Sequence, residues 1–443
     1  MKLEMICTGE EVLAGQIVDT NAAWLGNQLM ENGFEMHRRT TVGDRLADLV
    51  EVFQERSQYA DIILVNGGLG PTADDLSAKA MADAMGVELV ENKQWTARLE
   101  EWAKDRNVTL NPNNLKQALL PKGAVMVDNL VGTACGFRVK FNRSWLFFTP
   151  GVPHEYKAMV SAEFMPFVQA QAGMQSKVQV TKLLTIGMGE SEMAERLEKL
   201  NWPSGITLGY RSYLPYLELK LIARDVSEAE QLLAIKQAVN ELGDSVVARN
   251  KDTLAAEIHR LLSESNQTLS IAESLTGGEL CSQLVNFAGS SHYLKQGVVS
   301  YCNEAKMSLL NVNAECIAEH TEVSLLCAGQ MVAGVATSNN QLKTSDFAVA
   351  TTGIAGPEGG SDENPIGTVV IAVKAQDQIF CQKVSLSAKR SRSHIRDLTV
   401  AIAFDMLRRA ILALPPIADY SYIKRTDSAE YQMVDMLSLM SNE

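Results

Sequence analysis

Short apolar runs alternate with amphipathic stretches through residues 1–170. The runs LEMICTG, DIILVNGG and SWLFFTPG have the length and composition of buried strands, whereas NAAWLGNQLMENG and AKAMADAMG have helical periodicity. This alternation predicts an α/β domain with a mainly parallel sheet. Each strand ends in a turn, often glycine-rich, and such turns lie at the carboxyl edge of the sheet, where open α/β folds bind ligands.

The pattern changes twice further along the chain. Residues 175–250 contain KVQVTKLLTIGMGESEMAERLEKL, ITLGYRSYLPYLELKLIARD and a helix around SEAEQLLAIKQAVNELG, which together predict a small α+β module. Residues 252–415 predict a second α/β domain, with strands at TLSIAES, GVVSYC, DFAVATTG, TVVIAV and KVSLS. Residues 416–443 are expected to be a loosely docked C-terminal tail.

Composition narrows the classes of function. The chain has 443 residues, 46% of them hydrophobic, and a formal net charge of -13, which repels nucleic acid phosphates and makes nucleic acid an unlikely partner. No stretch approaches the about 20 apolar residues of a membrane span, and the start lacks a signal-peptide pattern, so we expect a cytoplasmic protein. The seven cysteines are unpaired in spacing and are expected to be reduced thiols.

The segment TLSIAESLTGGELCSQLV places Ser274 at the end of an apolar strand, just before a helix predicted to begin near Thr276 to Gly278. The backbone N–H groups of Thr276, Gly277 and Gly278 at that helix start could hold a phosphate or a developing oxyanion. The alternative is structural, because serine and threonine at such a turn are commonly helix N-caps.

Thirty-two residues after Ser274, the segment GVVSYCNEAKMSLLNV presents Tyr301, Asn303 and Lys306 just beyond another apolar strand. Loops at one edge of a sheet can meet. A partly desolvated lysine has a lowered pKa and can take the proton of a serine hydroxyl, which gives a Ser-Lys dyad. Taken alone, Lys306 fits better as a solvated lysine at a helix start.

Two more segments add candidate ligand-binding residues. FAVATTGIAGPEGG places Thr352, Gly353 and Gly356 in a loop whose amides could approach an anion, with a plain turn as the alternative. RSRSHIRDL places Arg392 and Arg396 four residues apart on one helical face, suited to phosphate, with an exposed basic helix start as the alternative.

The motifs AESLTGG, SYCNEAK, TTGIAGPEGG and RSHIR, in this order and spacing, resemble the nicotinamide mononucleotide (NMN) deamidase domain of the CinA family. The resemblance implies hydrolysis of NMN to nicotinic acid mononucleotide and ammonia without a cofactor. It implies Ser274 as nucleophile and Lys306 as its base, with Tyr301, Thr352 and Arg392 as further site residues.

The chain departs from this family pattern at two positions. Leu275 follows the serine where the family commonly has Cys, and Ser391 stands before the arginine where the family has Gly-Asp. The departures leave the dyad untouched. They leave open whether Arg390, Arg392 or Arg396 is the phosphate-binding arginine.

The first domain carries its own candidate site, in TGEEVLAGQIVDTNAAWL, NGGLGPTADDLS, NLVGTACGF and TPGVPHEY. Its glycine-rich turn offers amides for phosphate, and its carboxylates offer oxygen ligands for a divalent cation such as Mg²⁺, above all at Asp74 and Asp75. Each acid alone is more commonly a solvated loop or helix-cap residue. The candidate residues are Glu10, Asn21, Gly67, Gly68, Thr72, Asp74, Asp75 and Glu155, with Glu11 as a further possible oxygen ligand or base.

These N-terminal motifs resemble the molybdopterin-binding-like domain of CinA proteins. The resemblance implies a metal-dependent ADP-ribose pyrophosphatase that forms AMP and ribose 5-phosphate. Ser77 and Ala78 stand where the family usually reads Thr-Arg, and Cys135 stands where it usually has Pro, so diphosphate binding is expected to be weaker.

The middle module resembles the KH-type module of CinA proteins and is expected to be a scaffold in a homodimer. RNA binding does not follow, because the nearest candidate for a basic GxxG loop is Gly187-Met188-Gly189-Glu190, which is acidic and wrongly spaced. Two other functions stay open: a non-enzymatic partner in competence or DNA repair, and a molybdopterin-binding protein.

Overall fold

The computed structural model describes residues 1–172, 178–251, 253–337 and 344–441. The chain divides into two compact units, Met1–Gln179 and Val180–Glu443. Each unit contains a layered arrangement of helices on a sheet, so the predicted α/β class is confirmed. The boundaries predicted at residues 175 and 252, and the last two residues, lie outside the described residues.

The first unit alternates strands and helices as its sequence pattern predicts. Its strands are β1 (Leu3–Thr8), β2 (Met36–Val42), β3 (Ile62–Asn66), β4 (Leu89–Glu91), β5 (Leu119–Pro121), β6 (Val125–Val127), β7 (Gly136–Phe141) and β8 (Ser144–Thr149). Its helices are α1 (Glu10–Leu13), α2 (Thr20–Glu31), α3 (Leu46–Arg56), α4 (Ser77–Met85), α5 (Lys93–Asp105), α6 (Pro112–Lys116), α7 (Pro153–Met159) and α8 (Met165–Ala172).

The main sheet of the first unit has the order β2-β1-β3-β8-β7-β6. Strands β2, β1, β3 and β8 are parallel, whereas β7 and β6 are antiparallel additions. Strands β1 and β3 are buried along their whole length, which explains their continuous apolar sequences, because parallel strands are covered on both faces. The parallel strands therefore deliver their carboxyl-end turns to one edge.

The second unit contains two sheets. Its strands are β9 (Val178–Thr185), β10 (Ile206–Tyr213), β11 (Tyr216–Arg224), β12 (Val246–Arg249), β13 (Leu269–Glu273), β14 (Leu294–Val299), β15 (Phe347–Gly353), β16 (Thr368–Ala375), β17 (Gln378–Ser385) and β18 (Lys424–Gln432). Its helices are α9 (Glu190–Glu198), α10 (Glu228–Leu242), α11 (Leu254–Ser265), α12 (Glu279–Val285), α13 (Asn303–Leu310), α14 (Ala314–His320), α15 (Leu325–Thr337), α16 (Arg392–Ile411) and α17 (Met433–Met440).

The larger sheet has the order β14-β13-β15-β16-β17-β18, with β14, β13 and β15 parallel and the rest antiparallel. Alternate residues of each strand point to opposite faces. Ile271 and Val349 therefore pack in the cluster that contains α16, whereas Ala272 and Ala350 pack in the cluster that contains α15. Alanines on the second face allow the buried helix α15 to approach the sheet closely.

The middle segment forms the smaller sheet, ordered β10-β11-β9-β12, with α9 and α10. Leu184, Tyr216 and Val247 from this segment lie in one hydrophobic cluster with residues of α11 and α16. The segment therefore shares its core with the α/β part of the second unit. Its predicted KH-type character stays a prediction.

The expectation of a loosely docked tail after residue 415 is wrong. Strand β18 pairs antiparallel with β17, and α17 buries Met433 and Met436 against the cluster that contains α15. Because β18 is an edge strand with the polar sequence KRTDSAEYQ, it lacks the apolar run by which strands are recognised.

Within the described ranges no helix is both long enough and apolar enough to cross a bilayer.

A buried ionic network joins α16 to its surroundings. Asp405 is 0% exposed and accepts hydrogen bonds from Arg408, at 2.8 and 3.0 Å, and from Arg409 and Tyr420, both at 3.0 Å. Arg409 also pairs with Asp244 in the turn after α10 at 3.2 Å. A single carboxylate therefore satisfies two buried cations and a phenol.

We expect Asp405→Ala to lower the free energy of unfolding of the second unit by about 3–5 kcal/mol, because it removes the carboxylate that pairs with buried Arg408 and leaves Arg409 paired with the exposed Asp244. Urea-induced unfolding measures the loss. The matched control is Asp419→Ala, which breaks an exposed pair with Arg425 and should cost less than about 1 kcal/mol. Equal losses in the two variants would contradict the role given to Asp405.

Candidate functional site

Ser274 and Lys306 meet in the interior of the second unit. Ser274 directly follows β13, and Lys306 lies in α13; they are 7% and 1% exposed. Lys306 Nζ lies 3.3 Å from Ser274 Oγ and 3.3 Å from the Ser300 carbonyl oxygen. Within the described ranges no carboxylate forms an ion pair with Lys306. The lysine is therefore held by two neutral oxygens, and the alternative of a solvated lysine is wrong.

Burial lowers the pKa of the Lys306 ammonium below its usual value. The negative charges that Cys327, Glu322 and Cys302 can carry act in the opposite direction and are weaker. The environment therefore favours the neutral amine, which is the form that can accept a proton from a hydroxyl.

The turn after Ser274 differs from the prediction. The helix begins at Glu279, later than expected, because Gly277 and Gly278 have left-handed backbone angles, with φ of 64° and 94°. The buried Glu273 carboxylate accepts hydrogen bonds from the Gly278, Leu280 and Cys281 amides, at 3.0, 3.2 and 3.0 Å. The Gly278 amide, predicted to face a ligand, is thus used internally.

Three other predicted residues also stabilise this turn. The Thr276 hydroxyl hydrogen-bonds the Thr351 hydroxyl at 2.8 Å, and the Gly277 amide donates to the Ser274 carbonyl oxygen at 3.0 Å. Arg396 Nη2 donates to the Thr276 carbonyl oxygen at 2.7 Å. Arg396 therefore holds the turn that carries Ser274 and does not line the neighbouring cavity.

A cavity of about 250 Å³ opens beside Ser274 and Lys306. The carboxyl ends of β13, β14 and β15 supply its residues, because these parallel strands end at the same edge of the sheet. The predicted residues that line it are Ser274, Tyr301, Asn303, Lys306, Thr352, Gly353, Gly356 and Arg392.

Arg392 lies at the exposed mouth of this cavity. Its Nη2 donates to the Tyr301 hydroxyl at 2.7 Å, and its Nη1 donates to the Gly356 carbonyl oxygen at 2.6 Å. These bonds fix the guanidinium over the glycine-rich loop. Of the three arginines left open by the sequence, Arg392 is the one that lines the cavity.

Two acidic residues of the cavity wall are not among the site residues predicted from the sequence. Glu322 lies in the connection between α14 and α15, and Glu358 lies in the glycine-rich loop. Glu322 follows no apolar run, so nothing in its local pattern marks it. Its position depends on a contact across the fold, since the Thr352 hydroxyl donates to its carbonyl oxygen at 2.8 Å.

The first unit has a separate cavity of about 570 Å³. The predicted residues Asn21, Gly67, Gly68, Thr72, Asp74, Asp75 and Glu155 line it. Glu10 does not; its carboxylate lies 3.8 Å from Arg45 Nε instead. The described lining of this cavity contains no lysine or arginine. It contains six carboxylates: Glu11, Asp19, Asp44, Asp74, Asp75 and Glu155.

Asn21 lines this cavity, and its hydrogen bonds fix the orientation of its side-chain amide. Asn66 donates through Nδ2 to the Pro150 carbonyl oxygen at 2.7 Å, so its Oδ1 is the atom that accepts from Asn21 Nδ2 at 3.0 Å. Asn21 Nδ2 also donates to the Gly151 carbonyl oxygen at 2.8 Å. Asn21 Oδ1 is therefore left buried, without a hydrogen-bond partner among the described residues.

The predicted metal ligands have other contacts. Asp75 accepts from the Thr72 amide at 2.8 Å and from the Thr72 hydroxyl at 2.5 Å, which closes the loop on itself. Across the described ranges no group of three or more His, Cys, Asp or Glu side chains could hold a metal ion. Ser77, a departure from the family pattern, keeps a hydroxyl that bonds the Gly67 carbonyl oxygen at 2.8 Å.

Comparisons with known proteins agree with this architecture. Residues 4–170 match the family described as "Probable molybdopterin binding domain", and residues 251–411 match "CinA C-terminal domain". A CinA-like protein of Shewanella sediminis is 56% identical over 96% of this chain and 99% of its own length. The chain belongs to the CinA family. A CinA-like protein of Shewanella frigidimarina is also 56% identical, with the same coverage.

Solved CinA structures resemble one part of this CinA-family chain. The competence/damage inducible protein CihA of Agrobacterium tumefaciens is 37% identical over 35% of this chain and 93% of its own, with a TM-score of 0.34. The protein CinA of Thermoplasma acidophilum is 31% identical over 37% of this chain and 96% of its own, with a TM-score of 0.35.

We expect Glu273→Gln to lower the free energy of unfolding of the second unit by about 2–3 kcal/mol, because an amide group replaces a carboxylate that accepts three N–H groups. Thermal unfolding of the variant measures the effect. Glu279→Gln, in the first turn of the same helix, removes an equal charge without these bonds and serves as the control. A Glu273 variant as stable as its control would refute the clamp.

Proposed function

We propose that the second unit hydrolyses the carboxamide of NMN to nicotinic acid mononucleotide and ammonia. The observation that carries this proposal is the 3.3 Å approach of Lys306 Nζ to Ser274 Oγ in a buried position. A neutral amine at that distance can activate the hydroxyl for attack on an amide. Arg392 at the cavity mouth suits the 5′-phosphate of the substrate.

The reaction proceeds in two halves. Ser274 Oγ bonds to the carboxamide carbon while Lys306 takes the hydroxyl proton, and the tetrahedral intermediate then expels ammonia as Lys306 returns that proton to the leaving nitrogen. Water next attacks the acyl-enzyme ester with Lys306 again as base. The bond between the acyl carbon and Ser274 Oγ then breaks as Lys306 returns the proton taken from water to that oxygen. Nicotinic acid mononucleotide is released, and no cofactor is needed.

The enzyme proposal explains the site better than a passive partner role in competence or DNA repair. A buried lysine without a carboxylate partner is unfavourable for stability, because desolvation of the ammonium is not repaid by an ion pair. A docking surface gains nothing from such a group. Burial does serve a base that must be neutral near pH 7.

Purified protein should release ammonia from NMN, and Ser274→Ala should lower the rate by about 10³-fold or more, because the nucleophile is lost. Ser282→Ala, exposed on the helix that follows, is the matched control and should keep full activity. Lys306→Arg should also be inactive, since a guanidinium does not deprotonate. Ammonia release by a folded Ser274→Ala variant, or none by the wild type, would contradict the proposal.

For the first unit we propose an ADP-ribose pyrophosphatase activity. The acidic lining and the unpartnered Asn21 Oδ1 favour this function, because ribose hydroxyls and an adenine amino group supply donors for such acceptors. The same carboxylates repel a free diphosphate. Since the described residues do not form a ready-made metal centre, the divalent cation would have to arrive bound to the diphosphate.

The protein should convert ADP-ribose to AMP and ribose 5-phosphate only when a divalent cation such as Mg²⁺ is added. Asn21→Ala should lower the rate of this conversion about tenfold, because it removes a hydrogen-bond acceptor. Asn32→Ala, exposed at the end of the same helix, is the control. The molybdopterin alternative would be favoured instead if molybdopterin, and not ADP-ribose with Mg²⁺, raised the melting temperature of the protein.

A further inference from the structure

The cavity beside Ser274 has three electrostatically different regions. Its floor holds the buried pair Ser274 and Lys306, and its mouth holds the exposed Arg392. Its wall includes the half-buried Glu322. A substrate with its amide at the floor and its phosphate at the mouth places the intervening ring between these regions, in a cavity whose wall includes Glu322.

The position of Glu322 is fixed by its backbone. The Thr352 hydroxyl donates to its carbonyl oxygen at 2.8 Å, and the next residue, Val323, is buried. The connection is thus attached to the end of β15, which itself lines the cavity. The backbone at Glu322 is therefore held beside the cavity by contacts other than a salt bridge.

The charge of Glu322 has no counterion in the described part of the protein, where it forms no ion pair. Lys306 and Arg392 line the same cavity, but neither forms an ion pair with Glu322, and burial lowers the pKa of Lys306. An uncompensated carboxylate in a cavity where an oxyanion must develop is unfavourable unless the ligand brings a positive charge.

We propose that Glu322 is a specificity-determining residue that selects substrates whose ring is a cation, as the pyridinium of NMN is, over analogues with a neutral ring. This inference rests on the proposed deamidase function. The pyridinium nitrogen is quaternary and keeps its charge at every pH, so the attraction persists throughout turnover. A half-buried carboxylate is screened less than an exposed one, which makes the attraction selective.

Ring-charge selection also suits the chemistry. The pyridinium withdraws electrons from the attached carboxamide and makes its carbon more electrophilic than that of a reduced, uncharged ring. Glu358 lines the same cavity, but it is exposed on the glycine-rich loop, where water and salt screen its charge. Glu322 is therefore the carboxylate assigned to this selection.

The test compares two ligands of nearly equal shape: NMN and its reduced 1,4-dihydropyridine form, whose ring is neutral. Binding is measured by calorimetry in the Ser274→Ala background, where NMN is not consumed. Glu322→Gln should weaken NMN about tenfold and change binding of the reduced form by less than about twofold. Glu319→Gln, exposed on α14 and outside the cavity lining, should change neither.

A second variant guards against misfolding of the first. Glu322→Asp keeps the charge on a shorter side chain and should retain most of the preference for NMN over the reduced form. Equal weakening of both ligands by Glu322→Gln, or unchanged NMN binding, would overturn the inference while ammonia release by the wild type still upheld the deamidase. Absence of both ammonia release and NMN binding would overturn the deamidase and this inference together.

Discussion

The site of the second unit depends on a lysine that is buried without a carboxylate. Within the described ranges the Lys306 side chain hydrogen-bonds the Ser274 hydroxyl and the Ser300 carbonyl oxygen, both at 3.3 Å, and forms no ion pair. Neutral acceptors compensate a buried ammonium poorly, so the fold shifts the lysine toward its neutral form. Burial of Lys306 therefore shifts the amine beside the Ser274 hydroxyl toward the form that can accept a proton.

Two charged side chains near Ser274 and Lys306 stabilise the turn that carries Ser274 and, within the described ranges, hydrogen-bond neither residue's side chain. Glu273 uses its carboxylate on three amides of the turn, and Arg396 holds the Thr276 carbonyl oxygen on the other side. Two charged side chains thus hold the five-residue turn 274–278 at the carbonyl oxygen of its middle residue and at the amide of its last residue. Because they are satisfied by backbone groups, they leave the cavity to Arg392 and Glu322.

The cavities of the two units differ in the charged side chains that line them. The cavity of the second unit places an arginine at its mouth, bonded to Tyr301 and the glycine-rich loop. The cavity of the first unit is lined by six carboxylates, and its glycine-rich turn is closed by Asp75 and Thr72. The arginine of the second unit's cavity suits a phosphate monoester directly. A phosphate in the first unit's cavity would require a cation between it and the carboxylates.

The sequence by itself determined the α/β class, most strand positions, and the loops that carry Ser274, Lys306, Thr352 and Arg392, because apolar runs, periodicity and strand-end turns are local properties of the chain. Only the tertiary structure decided that Glu322 lines the cavity, that Arg396 hydrogen-bonds the turn after Ser274, and that β18 pairs with β17 at the edge of the larger sheet. These outcomes depend on which side chains and edges meet across long sequence separations, and no local pattern records such meetings.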